Sequence, residues 1–173
     1  AQGYSIMSAM EHIQPEPLFN YLRRLREAFG NRYIPVDSPL TPLLRQLKEG
    51  KVVALALDRD PTNSGVMVNF FGAPARLPDG AARLALRTGL PLILGFSYRL
   101  QESPGHYEIY LQHVALPFSG RDRETERQAV QFLGGYLEEA IRRAPEQWVM
   151  SVPLWRASPP RLPPSQPGKV ETS

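Results

Sequence analysis

The sequence of 173 residues contains no cysteine and no long hydrophobic run. Without cysteine, the chain can form no disulfide, no cysteine-ligated zinc site and no thiol nucleophile. No apolar run reaches the ~20 residues that a membrane-spanning helix needs, and no basic segment followed by an apolar core suggests a signal peptide. We therefore expect neither thiol chemistry nor a membrane span in this sequence.

Several common catalytic motifs are also missing. The chain has no G-x-S-x-G turn, no G-x-x-x-x-G-K-S/T loop, no G-x-G-x-x-G loop and no H-E-x-x-H pair. These patterns are the usual signals of serine hydrolases, nucleoside triphosphatases, dinucleotide-binding enzymes and zinc proteases. The sequence lends no support to those four classes.

Composition and charge are those of an ordinary globular domain. Hydrophobic residues make up 42% and charged residues 21% of the sequence, close to the average for compact proteins. The formal net charge is +3, and all but three of the 20 basic residues are arginine. These arginines are scattered between acids, which favours a solvated surface over a nucleic-acid face. We expect anionic partners and no nucleic acid.

The C-terminal end differs in composition from the rest of the chain. Seven of the ten residues from Ser158 to Pro167 are proline or serine. Such a segment cannot build a hydrophobic core. We predict one domain over residues 1–157 and a disordered tail over residues 158–173.

Hydrophobic spacing predicts alternating strands and helices. Apolar stripes, with proline near the start or glycine near the end, predict helices at 15–29, 39–49, 81–88 and 124–143, the second capped by Ser38. Short apolar runs predict strands at 4–9, 52–57, 66–71, 91–99 and 106–114. The predicted fold is α/β, with a mixed central sheet flanked by helices and an antiparallel pair in its C-terminal half.

One polar triplet, Asp58-Arg59-Asp60, directly follows the apolar run Val52–Leu57. Such a run is typical of a parallel strand that is buried on both faces. The carboxyl ends of parallel strands face the ligand crevice of open α/β sheets. Taken alone, the triplet nevertheless fits a capped turn with an internal ion pair better than a binding site.

The chain resembles a known enzyme family from Glu11 to Trp155. The most specific parts are Asp58-Arg59-Asp60, Phe-Phe-Gly-x-Pro-Ala at 70–75 and Pro-Glu-Gln-Trp at 145–148. The family is that of the lipid A lauroyl acyltransferases and the phosphatidylinositol mannoside acyltransferases, within the lysophospholipid-acyltransferase-like superfamily. The resemblance implies a glycerolipid-acyltransferase-like fold that is incomplete at its N-terminus. It also favours a binding site over a simple turn at the triplet.

The resemblance implies an acyltransferase that moves a fatty acyl group from acyl-coenzyme A or acyl carrier protein to a hydroxyl of a membrane glycolipid. In this family a His-x-x-x-x-Asp/Glu motif supplies the base that deprotonates the acceptor hydroxyl. The chain lacks the motif, since no acid stands five positions after any of its histidines, His12, His106 and His113. We expect the motif to lie upstream of Ala1, and we expect this fragment alone not to catalyse transfer.

His12 and Glu16 are the nearest substitute for that motif. They are four residues apart, and Pro15 and Pro17 interrupt the backbone between and around them. We interpret His12 as a loop residue that does not rescue the motif.

The resemblance implies roles for two residues near the start of the chain and for the polar triplet. Glu11 and Arg26 match an acid and an arginine at the polar end of the site, where they position the acceptor sugar or polarise the thioester region. Asp58, Arg59 and Asp60 shape the polar mouth.

Further substrate-binding candidates lie after the triplet. Arg59 or Arg76 could hold the phosphates of coenzyme A or of a glycolipid headgroup, because guanidinium binds phosphate with two hydrogen bonds. Phe70 and Phe71 are candidates for an acyl groove, although strand aromatics are more often core residues, and we expect at least one of them to be core.

The expected reaction needs no metal and no cofactor beyond the acyl carrier as co-substrate. The implied location is peripheral, at the cytoplasmic face of the membrane. Trp148 and Trp155 fit either an interfacial anchor or a packed C-terminal cap. Two other functions stay open: a non-catalytic lipid-binding module that keeps the groove and, less favoured, a nucleic-acid-binding domain.

Overall fold

A computed structural model describes residues 5–103 and 105–155. In chain order the elements are β1 (Ile6–Met10), α1 (Glu16–Glu27), β2 (Arg32–Pro35), α2 (Thr41–Lys48), β3 (Val52–Ala54), β4 (Val66–Phe70), β5 (Ala73–Leu77), α3 (Gly80–Thr88), β6 (Leu92–Arg99), β7 (Tyr107–Val114), α4 (Arg123–Arg143) and a 3-10 turn (Pro145–Gln147). The predicted mixed α/β class is confirmed. The predicted tail at 158–173 lies outside the described residues, and the single domain over 1–157 stays a prediction.

The strands form three small sheets. β1 lies between β2 and β3 and is parallel to both. β4 and β5 form an antiparallel hairpin, and β6 and β7 form the antiparallel pair predicted for the C-terminal half. Because the three parallel strands run in one direction, their carboxyl ends lie at one edge of the first sheet.

The hydrophobic core lies between the β4–β5 hairpin and α4. Val66, Val68 and Phe70 alternate with more exposed residues along β4, as a strand with one covered face requires. These side chains pack with Leu133 and with further apolar residues of β5, α3, β7 and α4. The side chain of Gln131 exchanges two hydrogen bonds of 2.8 Å with the backbone of Asn69, which fixes α4 along the hairpin.

The β4–β5 turn has an unusual residue at its first position. Phe71 and Gly72 have φ angles of 51° and 78°, and a two-residue turn of this kind needs positive φ at both positions. Gly72 adopts this conformation freely, whereas phenylalanine rarely does. The turn is held from α4, because the backbone N–H of Phe71 donates to Glu138 Oε1 at 2.7 Å.

The structure corrects two predicted elements in the N-terminal half. β3 was predicted to extend from 52 to 57 with both faces buried, but it ends at Ala54 and Val52 is 48% exposed. β1 is its one partner strand in the described structure, so no neighbour continues the pairing beyond Ala54. Ser38 was predicted to cap α2, but the helix begins at Thr41 without a side-chain cap, because Pro42 supplies its first turn.

Two short strands were not predicted. β2 has four residues, too few to show a clear alternation. β5 contains Pro74, which weakens a strand pattern and is tolerated best at a sheet edge. Beyond its pairing with β4, the described part of β5 makes one isolated bridge, from Ala75 to Trp155.

The two tryptophans form a packed C-terminal cap. Trp155 Nε1 donates to the carbonyl oxygen of Phe70 at 2.9 Å, and the two rings stack with centroids 6.1 Å apart. Trp148 Nε1 donates to Asp58 Oδ2 at 3.3 Å. These contacts favour the cap over the interfacial anchor, the alternative that the sequence left open.

Candidate functional site

A cleft of about 780 Å³ opens at the carboxyl ends of the parallel strands. Its walls are the segments that follow β1, β2 and β3, the start of α3 and residues 149–151. One acid follows each of the three strands into the cleft: Glu11, Asp37 and Asp58. This position is where open α/β sheets generally bind ligands.

Glu11 and Arg59 form an ion pair within the cleft lining. The two side chains keep 38% and 34% of their surface exposed, so water screens the pair incompletely. A guanidinium at this position holds the Glu11 carboxylate in one orientation. The structure thereby joins two predicted site residues that lie 48 positions apart in sequence.

Asp58 and Asp60 differ in what occupies their oxygens. Asp60 accepts hydrogen bonds from the backbone N–H groups of Thr62 and Gly65, at 3.1 and 2.7 Å, and from the Thr62 hydroxyl at 2.7 Å. It therefore builds the turn that begins the next segment. Asp58 Oδ2 accepts from Trp148, while Oδ1 has no partner among residues 5–103 and 105–155. Asp58 is thus the better placed of the two to accept a hydrogen bond from a ligand.

An apolar groove of about 330 Å³ adjoins the cleft. Residues 55–58, β6 and the C-terminal part of α4 line it. Leu55, Ala56 and Asp58 line both cavities, so the groove and the cleft adjoin along the segment that ends at Asp58. Gln147, which also lines the groove, exchanges hydrogen bonds of 2.7 and 3.1 Å with the backbone of Arg99. A hydrocarbon chain suits such a groove, and a charged or hydroxyl-rich group suits the cleft.

A second charged cluster, which the sequence did not reveal, borders the cleft. Asp79 and Glu126 are buried, and Arg123 forms ion pairs with both. Arg83 adds ion pairs of 3.9 Å to Asp79 and 3.3 Å to Glu126. Arg123 also donates to the carbonyl oxygen of Gly65 at 2.9 Å, so the cluster ties α3 and α4 to the Asp60 turn. Local sequence patterns do not predict that two acids so distant in sequence share the same arginine partners.

Comparison with known proteins decides the family. Residues 1–157 match the bacterial lipid A biosynthesis acyltransferases. The chain belongs to this family.

Curated relatives of this lipid A acyltransferase family member include mycobacterial proteins. Phosphatidylinositol mannoside acyltransferases from two strains of Mycobacterium tuberculosis, CDC 1551 / Oshkosh and ATCC 25618 / H37Rv, are 32% identical over 151 residues. Each match covers 85% of this chain and 46% of the relative. A phosphatidylinositol mannoside acyltransferase of Mycolicibacterium smegmatis is 36% identical over 86 residues, covering 47% of this chain and 28% of the relative. The chain spans about half the length, or less, of these relatives.

Two arginines that were predicted for the site lie outside the cleft lining. The Arg26 guanidinium lies on α1, 5.9 Å from the ring centroid of Tyr33. Arg76 donates to the carbonyl oxygen of Gly65 at 2.9 Å and so stabilises the Asp60 turn. Arg26 forms no ion pair with Glu11, the acid with which the family resemblance grouped it. Arg59 pairs with Glu11 instead.

Neither predicted phenylalanine lines the cleft or the groove. Phe70 has no exposed surface and lies in the core, which confirms that at least one of the pair is structural. Phe71 is partly exposed at the hairpin turn, with the Arg142 guanidinium 4.9 Å from its ring centroid. The groove is instead lined by residues of β6 and α4, which the sequence assigned only as ordinary strand and helix positions.

His12 occupies a loop, as predicted, but the argument that separated it from Glu16 was wrong. His12 Nε2 lies 2.6 Å from Glu16 Oε2. The prolines do not keep the two apart, because Pro15 stands before the first residue of α1 and Pro17 occupies its first turn. Both side chains are about half exposed, and neither lines the cleft.

The cleft lining carries charges of both signs. Arg83, Arg87 and Arg59 supply three guanidinium groups, and five carboxylates stand around them. No histidine lines the cleft in the described part of the chain. Within that same part, no helix is long and apolar enough to cross a bilayer, and no cluster of three or more acids and histidines is arranged to hold a metal.

Proposed function

We propose that this family member transfers a fatty acyl group from acyl-coenzyme A or acyl carrier protein to a hydroxyl of a membrane glycolipid. The observation that carries the proposal is the meeting of a polar cleft and an apolar groove at Asp58. Acyl transfer needs a hydrocarbon chain and a hydroxyl-bearing acceptor to meet at one point, and these cavities suit the two parts. The name of the relatives fits an acceptor that carries sugar and phosphate.

The described residues bind and position the substrates in this proposal. Asp58 Oδ1 and the Glu11 carboxylate accept hydrogen bonds from hydroxyls of the acceptor sugar. Arg59 holds Glu11 in place, and Asp60 and Arg76 shape the turn that carries the cleft wall. We place the protein peripherally at the cytoplasmic face of the membrane.

The reaction itself moves one proton and one acyl group. The acceptor hydroxyl loses its proton to a base, its oxygen forms a bond to the thioester carbonyl carbon, and the carbon–sulfur bond breaks. The proton then passes to the departing thiolate, which leaves as a thiol. The family pattern assigns the base to a His-x-x-x-x-Asp/Glu motif, which the three histidines of this sequence do not form. In the proposed mechanism, none of the described residues acts as the base.

A non-catalytic lipid-binding module is the second candidate. The cleft lining described in the structure contains no histidine, while the groove is present. Such a module would bind acyl chains and glycolipid without forming an ester.

A transfer assay separates the two candidates. Labelled palmitoyl-coenzyme A is incubated with membrane glycolipid and either the 173-residue chain or the product of the whole reading frame. Acylated glycolipid from the longer product supports the acyltransferase. Binding of acyl-coenzyme A without ester formation by either protein, across several donors and acceptors, supports the lipid-binding module.

The Asp58 role is tested in the same assay with an isosteric change. Asp58→Asn lowers kcat/KM at least about tenfold, since a hydrogen bond to a charged group contributes roughly 1.5–3 kcal/mol. Glu139→Gln is the matched control, because Glu139 is exposed on α4 and lines neither cavity. Equal activity of the two variants would remove Asp58 from the site.

The groove is tested by filling it. Ala140 lines the groove, and Ala140→Leu shortens the room for a hydrocarbon chain. Transfer from long-chain donors falls more than transfer from short-chain donors. Ala115→Leu, at an exposed position outside both cavities, leaves the chain-length preference unchanged. An identical shift in both variants would place the acyl chain elsewhere.

A further inference from the structure

Helix α1 carries an exposed apolar stripe. Leu18, Tyr21, Leu25 and Phe29 recur at helical spacing along α1 and its end, and they are 44%, 59%, 49% and 74% exposed. No residue of α1 is buried. We call these four side chains the α1 stripe. A stripe of large apolar side chains facing water usually marks a surface that contacts a partner.

The same helix carries three arginines without carboxylate partners. Arg23, Arg24 and Arg26 form no ion pair among residues 5–103 and 105–155. Arg23 and Arg26 instead lie over aromatic rings, each 5.9 Å from a ring centroid. The exposed arginines of α4 behave differently, since Arg127 and Arg142 each pair with a glutamate on their own helix at 2.6 Å.

We infer that α1 lies in the interface of an anionic lipid membrane, with the α1 stripe toward the acyl chains and with Arg24 and Arg26, which flank the stripe on the helix, at the phosphate level. A helix with an apolar face and unpaired arginines suits this environment, because apolar burial and phosphate contact act together. The arginines argue for an anionic lipid partner over an apolar protein segment, which would leave their charges without counterions. Arg26, which the resemblance placed in the site, contacts lipid phosphate in this assignment.

A second exposed apolar surface lacks this charge pattern. Tyr107, Ile109 and Leu111 on β7 are 62%, 67% and 72% exposed, as much as the α1 stripe. Arg99 pairs opposite Tyr107 and is the one arginine on the paired stretches of β6 and β7. The exposed fractions therefore do not distinguish the two surfaces. The arginines of α1 without ion-pair partners favour α1 as the membrane contact. The β7 surface is the matched control.

This inference rests on the proposed function where it places the acceptor in the bilayer. Four residues separate Glu11, in the cleft, from the first residue of α1, and the contact between His12 and Glu16 spans that connection. A helix docked in the interface keeps the cleft near the lipid headgroups. The partner inferred for α1 is the phospholipid surface and not the substrate.

Vesicle flotation of the full gene product tests the inference. Vesicles contain phosphatidylcholine alone or phosphatidylcholine with phosphatidylglycerol. We expect Arg24→Gln and Arg26→Gln each to lower partitioning to the anionic vesicles about fivefold, with little change on neutral vesicles. Leu25→Glu with Phe29→Glu abolishes binding to both. Ile109→Glu with Leu111→Glu, the control, leaves binding unchanged.

Two results would overturn the inference. Loss of binding in the β7 variant but not in the α1 variants would move the membrane contact to β7. Slow hydrogen exchange of α1 in the absence of vesicles, or dimerisation that the α1 variants abolish, would show that protein covers the stripe instead. The conservative arginine variants keep the test valid if the glutamate variants misfold, which circular dichroism detects.

Transfer assays separate this inference from the proposed function. If α1 variants acylate glycolipid in detergent micelles but not in vesicles, both ideas are supported. If α1 variants retain full transfer in vesicles, the membrane inference fails and the acyltransferase stands. If vesicle binding depends on α1 but no protein forms the ester, the acyltransferase fails and the membrane inference stands.

Discussion

The two halves of the described structure are packed in very different ways. The packed region, comprising β4, β5, α3, β7 and α4, contains all but two of the buried hydrophobic residues. The open region, comprising β1–β3, α1 and α2, contributes only Met10 and Leu43. The packed region thus shares one hydrophobic core, whereas the open region buries few apolar side chains.

The candidate site lies where these two regions meet. Glu11 and Leu43 of the open region and Asp79 and Arg83 of the packed region line the same cleft. A ligand that contacts both walls stabilises the less packed one, because binding to the folded form adds to its stability. In the proposed function, the packed region supplies rigidity and the open region supplies most of the surface that contacts membrane and substrate.

The largest expected effect is a core truncation in the packed region. Phe70→Ala lowers the free energy of unfolding by about 4 kcal/mol, since Phe→Ala in a core typically costs roughly 3–5 kcal/mol. Leu25→Ala in the open region changes it by less than about 0.5 kcal/mol, because Leu25 is largely exposed. Urea unfolding in the absence of lipid measures both. Equal losses would mean that α1 shares the core.

The buried charge cluster gives the next largest effect. Arg123→Gln removes a cation from Asp79 and Glu126, which stay buried with Arg83 as their remaining ion-pair partner among the described residues. We expect a loss of about 2 kcal/mol, typical of charged hydrogen bonds to buried groups. Arg127→Gln, whose partner Glu124 is exposed, changes the urea midpoint much less. A similar midpoint for the two variants would show that the cluster contributes no more than a surface pair.

A pair of adjacent glycines in α4 is expected to respond in opposite directions. Gly135→Ala raises the free energy of unfolding by about 1 kcal/mol, because a Cβ there meets nothing within 4 Å and alanine favours the helix. Gly134→Val lowers it, because a Cβ at Gly134 already stands 3.6 Å from Leu77 Cδ1 and its methyls would crowd the core. Thermal unfolding followed by circular dichroism reports both. Stabilisation by valine would mean that the core has unused room.

The smallest expected effect is the pH dependence of the α4 cap. The Thr125 hydroxyl and backbone N–H donate to Asp122 and lower its pKa below the ordinary 3.8. Because the folded state favours the carboxylate, its contribution is full above the ordinary pKa and is lost as pH falls through the lowered pKa. Asp122→Ala therefore lowers the melting temperature near neutral pH, and the difference shrinks in acid. A difference that stays constant from neutral to acid pH would exclude a role for the carboxylate charge.

Local patterns predicted the elements whose stability is local. α4 has a long apolar stripe, α3 ends at Thr88 as predicted, with Gly89 after it in the left-handed conformation, and β6 and β7 form the predicted pair. β2 and β5 were missed because one is only four residues long and the other contains Pro74. The extent of β3 was overestimated because a run of apolar residues does not say where its partner strand ends.

The sequence predicted some residues of the candidate site and missed others. Glu11, Asp58, Arg59 and Asp60 came from a family resemblance and do meet in one cleft. Asp37 was missed with β2, and the Asp79 cluster was missed because its members come together only when α3 packs against α4. The sequence predicted that at least one of Phe70 and Phe71 is a core residue, and the fully buried side chain of Phe70 identifies which one.

The sequence alone determined the α/β class, the main helices and the family to which the chain belongs, because these depend on periodicity, composition and short motifs. Only the tertiary structure decided which charges pair, that Arg59 and not Arg26 reaches Glu11, and that a groove meets the cleft at Asp58. The physical reason is that ion pairs and cavities form between segments distant along the chain, where distance and burial, and not sequence spacing, set the interaction energy.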